Sequence, residues 1–454
     1  MQVVYGRFER PRIVSKYIVE VQAKERSWRD FLNFATMTIL PTHEIAELDG
    51  ATFLSQYQFR TLVGSGPYIL RPSDVKMQHT LSLRRRDDYW GANERFAVGQ
   101  YNFDTIRLIS TKDSVLALEK AKKGEMDLLK IGKARDWAVD LPRLSQVQRG
   151  LLVLQRIHND QPSGADGIVI NMRRPPLDDV RVRKALCHLY NRRKLIEKLF
   201  YGEYEHLDGY FSPTMLDEVT GAIDLNEAEP ELIRYDPDAA QRLLAEAGWS
   251  ERDSQGLLVK NGRRMELELI YSSKVVERYL SVFQEDCRRA GIVINLKQLT
   301  RASRFQTTYG NRQFQVATQG WGGTLDPNPQ AAWLSVLADR NNNNNFAGFK
   351  SEQVDDLCRR YDESFDPVER AELIRQIDRL IFAEHPCVLG WRTPYIRLMY
   401  WNKFGFPPGS LGRTAGVESA LRTWWIDPEK VALLDRAKSD ATLKLDAGPY
   451  DVYR

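Results

Sequence analysis

The run from Met265 to Leu299 constrains the fold more than any other part of the chain. "MELELIY" (265–271) alternates apolar and polar residues, the period of a half-buried strand. "VVERYLSVFQEDCRRAG" follows, with Val276, Tyr279, Leu280, Phe283, Cys287 and Ala290 at helical spacing and Gly291 placed to end the helix. "IVINLKQL" (292–299) then alternates again. Strand, helix and strand in succession make a βαβ unit. Such a unit brings two parallel strands, a right-handed crossover and a sheet whose faces helices must cover.

Further helices are marked by their ends. In "YDPDAAQRLLAEAGW", Asp236 can cap, Pro237 takes the first helical position and Gly248 closes the helix. "FDPVERAELIRQIDRLIFAEHP" repeats the device with Asp366, Pro367 and Glu369, close to a capping box, and has Leu373, Ile374, Ile377 and Ile381 as its apolar face. "DSVLALEKAKKG" (113–124) ends at Gly124, and 179–202 reads as two short helices, the second capped at Asn191. Strands and helices alternate throughout 454 residues, too many for one ordinary domain, so the class is α/β with more than one lobe.

Chemistry is harder to find. None of the six histidines stands at metal-ligand spacing; "HEIAE" (43–47) has a glutamate where a zinc protease needs its second histidine. There is no GxSxG elbow, no GK[ST] phosphate loop and no GxGxxG. Cys187, Cys287, Cys358 and Cys387 lie far apart without a CxxC pair and read as free buried thiols. The sequence therefore indicates no catalytic residues, no metal, no cofactor and no enzyme. Basic and acidic residues nearly balance, 65 against 61, and the densest basic stretch, "LRRRDDYW" (83–90), carries its own acids, which argues against a nucleic-acid partner. No segment approaches the roughly 20 apolar residues of a membrane span. The opening "MQVVYGRFERPRIVSKY" lacks the pattern of a secretory signal. "NNNNN" (341–345) has the composition of an exposed loop.

One stretch asks for a function. "GWGGTLDPNPQAAW" (320–333) crowds two tryptophans, three glycines and two prolines, which predicts a loop rather than a helix or a central strand. Gly320, Gly322 and Gly323 leave Trp321 without local side-chain neighbours, so its ring is either core or the wall of a pocket.

"LVGSGPYIL" followed by "LRRRDDYWG" resembles the "GSGPY…RNPDYWG" signature of the bacterial extracellular solute-binding proteins of family 5, the oligopeptide-, dipeptide- and nickel-binding components of ABC importers. "YNFDTIRLI", "ALEKAKKGEMDLL", "INMRRPPLDDVRVRKALCHLYNRRKLI", "YDPDAAQRLLAEAGW" and the "GW…DPNP" stretch continue the likeness in order, from about Leu62 to about Phe406. "YNFD", "FYGEY" and "DW" (136–137) look most like the branch of microcin- and murein-peptide-type binding proteins.

The resemblance implies a two-lobe periplasmic-binding-protein fold of type II, peptide-binding class. Lobe I would comprise 62–170 and 396–454, and lobe II 171–395. Residues 1–61 would be a remnant of the N-terminal and extra-domain region, leaving the first lobe incomplete. It further implies a monomer in the periplasm or otherwise outside the cytoplasmic membrane. There it would hold a peptide or peptide-like ligand between the lobes and deliver it to the permease subunits of an ABC importer. The ligand-binding residues it points to are Gly320, Trp321, Gly323, Thr324, Asp326, Trp391 and Arg392. Trp321 would wall the pocket, the two glycines would let backbone amides approach, and Arg392 would meet a carboxylate. Family members place an aspartate shortly after the "GW" to hold a terminal ammonium; here Thr324 aligns with it. Asp326, two residues on, either serves instead or caps the "DPNP" turn. Two other readings stand beside this one: a truncated, non-transporting remnant, and an enzyme on the same fold.

Overall fold

The computed structural model describes residues 6–162, 164–211, 234–412, 414 and 416–453. The chain forms two compact units, one of residues 1–36 and 162–393, the other of 37–161 and 394–454. Chain crossings thus fall at 36/37, 161/162 and 393/394, the last two against 170/171 and 395/396 in the sequence reading. Residues 6–36 join the larger unit, whereas the sequence reading groups them with 37–61. Trp28 explains the placement: its ring meets Tyr361 edge-on at 5.6 Å and its Nε1 donates to the Tyr361 carbonyl at 2.9 Å. Arg29 adds an ion pair to Asp362 at 2.8 Å.

The larger unit is built on a five-stranded sheet: β1 (Ala165–Ile170), β2 (Glu266–Tyr271), β3 (Val293–Gln298), β4 (Val316–Trp321) and β5 (Cys387–Leu389), in the order β3-β2-β4-β1-β5. β2 pairs in parallel with β3, from Glu266↔Val293 to Tyr271↔Gln298, and the helix Glu277–Ala290 joins them. This is the βαβ unit the alternation predicts. Gly291 ends its helix at φ 96°, a left-handed conformation open to glycine at little cost. β1 runs antiparallel to both its neighbours, so the sheet is mixed.

Side chains alternate across it. Ile168, Ile170, Leu267 and Leu269 pack on one face beneath the helices Val180–His188, Pro237–Glu246 and Glu277–Ala290. Val169, Ile270 and Ala317 pack on the other, beneath Glu352–Glu363 and Pro367–Ala383. Leu373, Ile374, Ile377 and Ile381 are all buried there, each removing apolar surface worth about 2 kcal/mol. The Asp-Pro starts hold: Asp236 accepts from the Ala239 amide and Asp366 from the Val368 amide. Glu369 does not close a capping box; its carboxylate accepts the Ser364 hydroxyl at 2.6 Å.

The smaller unit carries a four-stranded sheet in the order 451–452, 152–158, 395–401, 128–130, with apolar clusters on both faces, and a second sheet centred on Thr80–Arg85. Among the described residues no helix is long and apolar enough to cross a membrane. The four cysteines are unpaired, three of them buried.

Candidate functional site

The stretch that reads as a single loop is in fact a strand end, a loop and a short helix. Gly320 and Trp321 close β4, a central strand, and Gln330–Trp333 is helical. Glycine is tolerated there because the neighbouring chain comes close. A Cβ on Gly320 would lie 2.6 Å from the Ala165 carbonyl oxygen, and one on Gly323 would lie 2.4 Å from the Gly164 nitrogen. The approach that both glycines permit is therefore that of segment 162–166, while Gly322 faces open space.

Where β4 ends, the larger unit holds a cavity of about 410 Å³. Gly320, Trp321, Gly323 and Thr324 all line it. Trp321 is half-buried, with its ring 4.8 Å from Trp333, 5.7 Å from Phe346 and 5.8 Å from Tyr210. It is both wall and core edge: distant residues supply the neighbours its own segment lacks. Phe305 and Tyr309, stacked at 4.7 Å, add a further aromatic surface. The described lining has no charged side chain; its polar groups are amides, hydroxyls and backbone, among them Gln319, Thr324, Asn328 and Asn344. The amides of Gly322, Gly323 and Thr324 find no protein acceptor among the described residues.

The asparagine tract, which composition marks as an exposed loop, is exposed at Asn341, Asn342 and Asn344, and Asn344 lines the cavity. Asn344 accepts the Trp321 indole N–H on its carbonyl at 2.8 Å. Asn345 is fully buried and hydrogen-bonded on all sides. Its Nδ2 donates to the Leu334 and Phe349 carbonyls, and its Oδ1 accepts from the Gly348 and Phe349 amides. Arg173 ties the tract down from the end of β1, donating to the carbonyls of Ala338, Asn345 and Phe346 and to Asn171 Oδ1.

Three expected residues are placed elsewhere. Asp326 is exposed and does not line the cavity; its backbone carbonyl accepts the Thr324 hydroxyl at 2.9 Å, and its charge acts on the buried Tyr361 phenol. Trp391 sits on the opposite face of the sheet in an aromatic cluster, 4.5 Å from Phe200 and 4.9 Å from Tyr279. Arg392 already has a carboxylate, Glu205, at 2.8 Å across the short pairing of 391–392 with 205–206. That exposed pair contributes under about 1 kcal/mol.

Asp166 is a residue the sequence reading passes over. It lies on β1 directly opposite Gly320, so both project to the Trp391 face. Its Oδ1 accepts the Gly167 amide at 2.9 Å. Desolvation raises its pKa, opposed by that amide and by the charge of Arg304. The side chain is exposed to solvent. The available signal was a carboxylate breaking into the apolar run "GADGIVI". Among the described residues no group of three or more His, Cys, Asp or Glu stands together as a metal site.

Comparison with known proteins agrees with this architecture. The model of the bacterial extracellular solute-binding proteins, family 5 middle region, matches residues 11–344. The probable peptide-binding protein YejA of Agrobacterium fabrum is 24% identical over 402 residues, 82% of this chain and 64% of the relative. The Escherichia coli YejA is 25% identical, covering 83% and 65%. The chain thus spans about two thirds of the length of these relatives. Among solved structures, the oligopeptide-binding protein AppA of Bacillus subtilis, in complex with a nonapeptide, superposes with a TM-score of 0.72 at 19% identity, covering 93% of this chain and 79% of that one. DppA of Helicobacter pylori, in complex with the peptide STSA, gives 0.70 at 16%, covering 92% and 74%. The fold is the two-lobe, type II solute-binding fold, and the chain belongs to family 5 of the bacterial extracellular solute-binding proteins.

Proposed function

We propose that this protein binds oligopeptides or peptide-like compounds outside the cytoplasmic membrane, as a monomer, and delivers them to the permease subunits of an ABC importer. The observation that carries the reading is the end of β4. An uncharged cavity walled by aromatic rings lies beside three backbone amides without protein acceptors. Such amides suit the carbonyls of an extended chain, and neutral rings accept varied side chains without selecting a charge. The probable peptide-binding protein of Agrobacterium fabrum and the peptide-bound structural neighbours support the same class of ligand. Nothing in the site asks for bond making or breaking, which favours a binder over an enzyme.

Native mass spectrometry of the gently purified protein, before and after denaturation, tests the reading. A peptide-sized mass lost on denaturation, or gained from a defined mixture of short peptides, is the expected result. A folded chain that neither carries nor takes up a peptide would overturn it. Trp321→Ala is expected to weaken peptide binding about 10- to 100-fold by calorimetry, as for a central aromatic anchor. Trp321→Phe, which keeps an aromatic wall but loses the hydrogen bond to Asn344, is expected to lose less.

A further inference from the structure

The smaller unit has a cavity of its own. One face of its four-stranded sheet carries Ile157 and Tyr400, and segments 406–412 and 445–453 pass over that face. Between them lies a space of about 400 Å³ that the peptide-binding reading does not use. Every residue lining it comes from this unit.

Its walls are apolar surface and satisfied polar groups. Tyr400, Phe406 and Trp424 form an aromatic patch, with Phe406 stacked on Trp424 at 4.5 Å and Tyr400 edge-on to Trp424 at 5.0 Å. Tyr400 donates its hydroxyl hydrogen to Gln155 Oε1 at 3.0 Å, and Gln155 donates to the Pro449 carbonyl at 3.3 Å. The Trp424 indole N–H donates to Ser410 Oγ at 2.9 Å. Asn402 gives its amide hydrogens to the Gly150 and Asp446 carbonyls. One charge is unanswered. Lys430 is half-buried in the lining, donates to the Phe404 carbonyl at 2.8 Å and lies 5.6 Å from the centre of the Phe406 ring. It forms no ion pair among the described residues. It also stands in the first turn of the helix Pro428–Ser439, where the helix dipole disfavours a cation and a nearby anion would offset it. The other charge in the lining, Asp446, is exposed and accepts the Gly448 amide on Oδ1 at 2.8 Å.

We propose that this cavity is a second ligand site, which takes a monocarboxylate with an apolar body of roughly ten carbons, its carboxylate on Lys430 and its body against the rings. The volume suits such a molecule: cavities for small organic ligands run from about 300 to 1,000 Å³, and about 150 Å³ already admits benzene. A lysine that lays its stem on apolar surface and keeps N–H groups free for an anion completes the match. Leu433, one helical turn beyond Lys430 and 42% exposed, lies where the lining meets solvent. The site stands apart from the peptide-binding reading, whose cavity is in the larger unit.

Equilibrium dialysis at neutral pH with radiolabelled decanoate and, separately, 1-decanol tests it. Wild-type protein is expected to hold decanoate about 10-fold more tightly than the alcohol, the scale of a hydrogen bond to a charged group. Lys430→Met, which keeps the apolar stem and drops the charge, is expected to erase that preference while changing affinity for the alcohol less than about twofold. Lys430→Gln, which can still donate to the Phe404 carbonyl, should behave in the same way, and Lys430→Arg should retain the preference. Leu433→Glu, an exposed change beside the lysine, is expected to weaken decanoate about 10-fold or more by placing a like charge there. Equal binding of acid and alcohol, a preference that survives both neutral variants, or loss of both ligands in both neutral variants would each overturn the assignment. So would undiminished binding in Leu433→Glu, or no binding of either molecule by wild-type protein. Peptide uptake is read separately by mass spectrometry, so failure here leaves the peptide-binding reading standing, and failure there leaves this site standing.

Discussion

Replacing Arg173 with alanine is expected to lower the stability of the larger unit by about 3 kcal/mol, seen as a fall in the urea midpoint with an unchanged slope. The side chain is half-buried, yet its guanidinium donates at 2.8 to 3.1 Å to Ala338, Asn345 and Phe346 carbonyls and to the Asn171 side chain, all of them neutral oxygens. Burial and the neighbouring Arg312 push its pKa down to about 10, so it remains charged at neutral pH. Removal leaves several carbonyls of 338–346 without their donor, and each such loss costs about 1 kcal/mol or more until water reaches it. Arg173→Lys is expected to recover less than half, because one ammonium cannot span acceptors arranged around a planar fork. The loop it anchors carries Asn344 and Phe346, so peptide affinity should fall with stability. A loss below about 1 kcal/mol would mean that the side-chain network of Asn345 alone holds the loop.

The second large effect is with pH. His385 is buried at a left-handed φ of 49°, and burial, with Lys184, Arg183 and His188 nearby, pushes its pKa down to about 3. A folded value below the ordinary 6.5 means that the unfolded chain takes up the proton first as pH falls. The contribution of neutral His385 is thus complete above about pH 6.5 and drains away between there and pH 3, the loss reaching about 3 kcal/mol by pH 4. His385→Gln, which cannot protonate, is expected to show a shallower loss of stability over that window. Urea titrations of both proteins from pH 7.5 to 4 measure the difference; parallel decline would rule out His385 as its source.

The parts of the fold legible in the sequence were those encoded within one element. The alternation of 266–271 and 293–298 and the Asp-Pro caps at 236 and 366 need only neighbours a few residues away. What sequence could not show depends on the order β3-β2-β4-β1-β5, which sets 165–166 beside 320–321. Gly320 reads as a strand breaker until Ala165 and Asp166 are seen against it. Asn345 belongs to a low-complexity tract until its four bonds are counted. Trp321 was identifiable, because a ring among glycines stands out. Its partners Tyr210, Trp333 and Phe346 come from separate segments and carry no mutual spacing. Arg392 is an inviting anion site in sequence only because Glu205, far upstream, is out of view.

The contact between Trp321 and Trp333 has an optical consequence. Two indoles with centroids 4.8 Å apart and planes inclined by 35° share their ultraviolet excitations, and the sign and size of the resulting circular dichroism depend on that inclination. Both rings line the same cavity, so a molecule entering it alters their mutual angle or their screening. The protein therefore carries an intrinsic chromophore pair at its candidate site, through which occupancy can be followed without a label, and Trp333→Phe should silence it while leaving the other tryptophans to report on the fold.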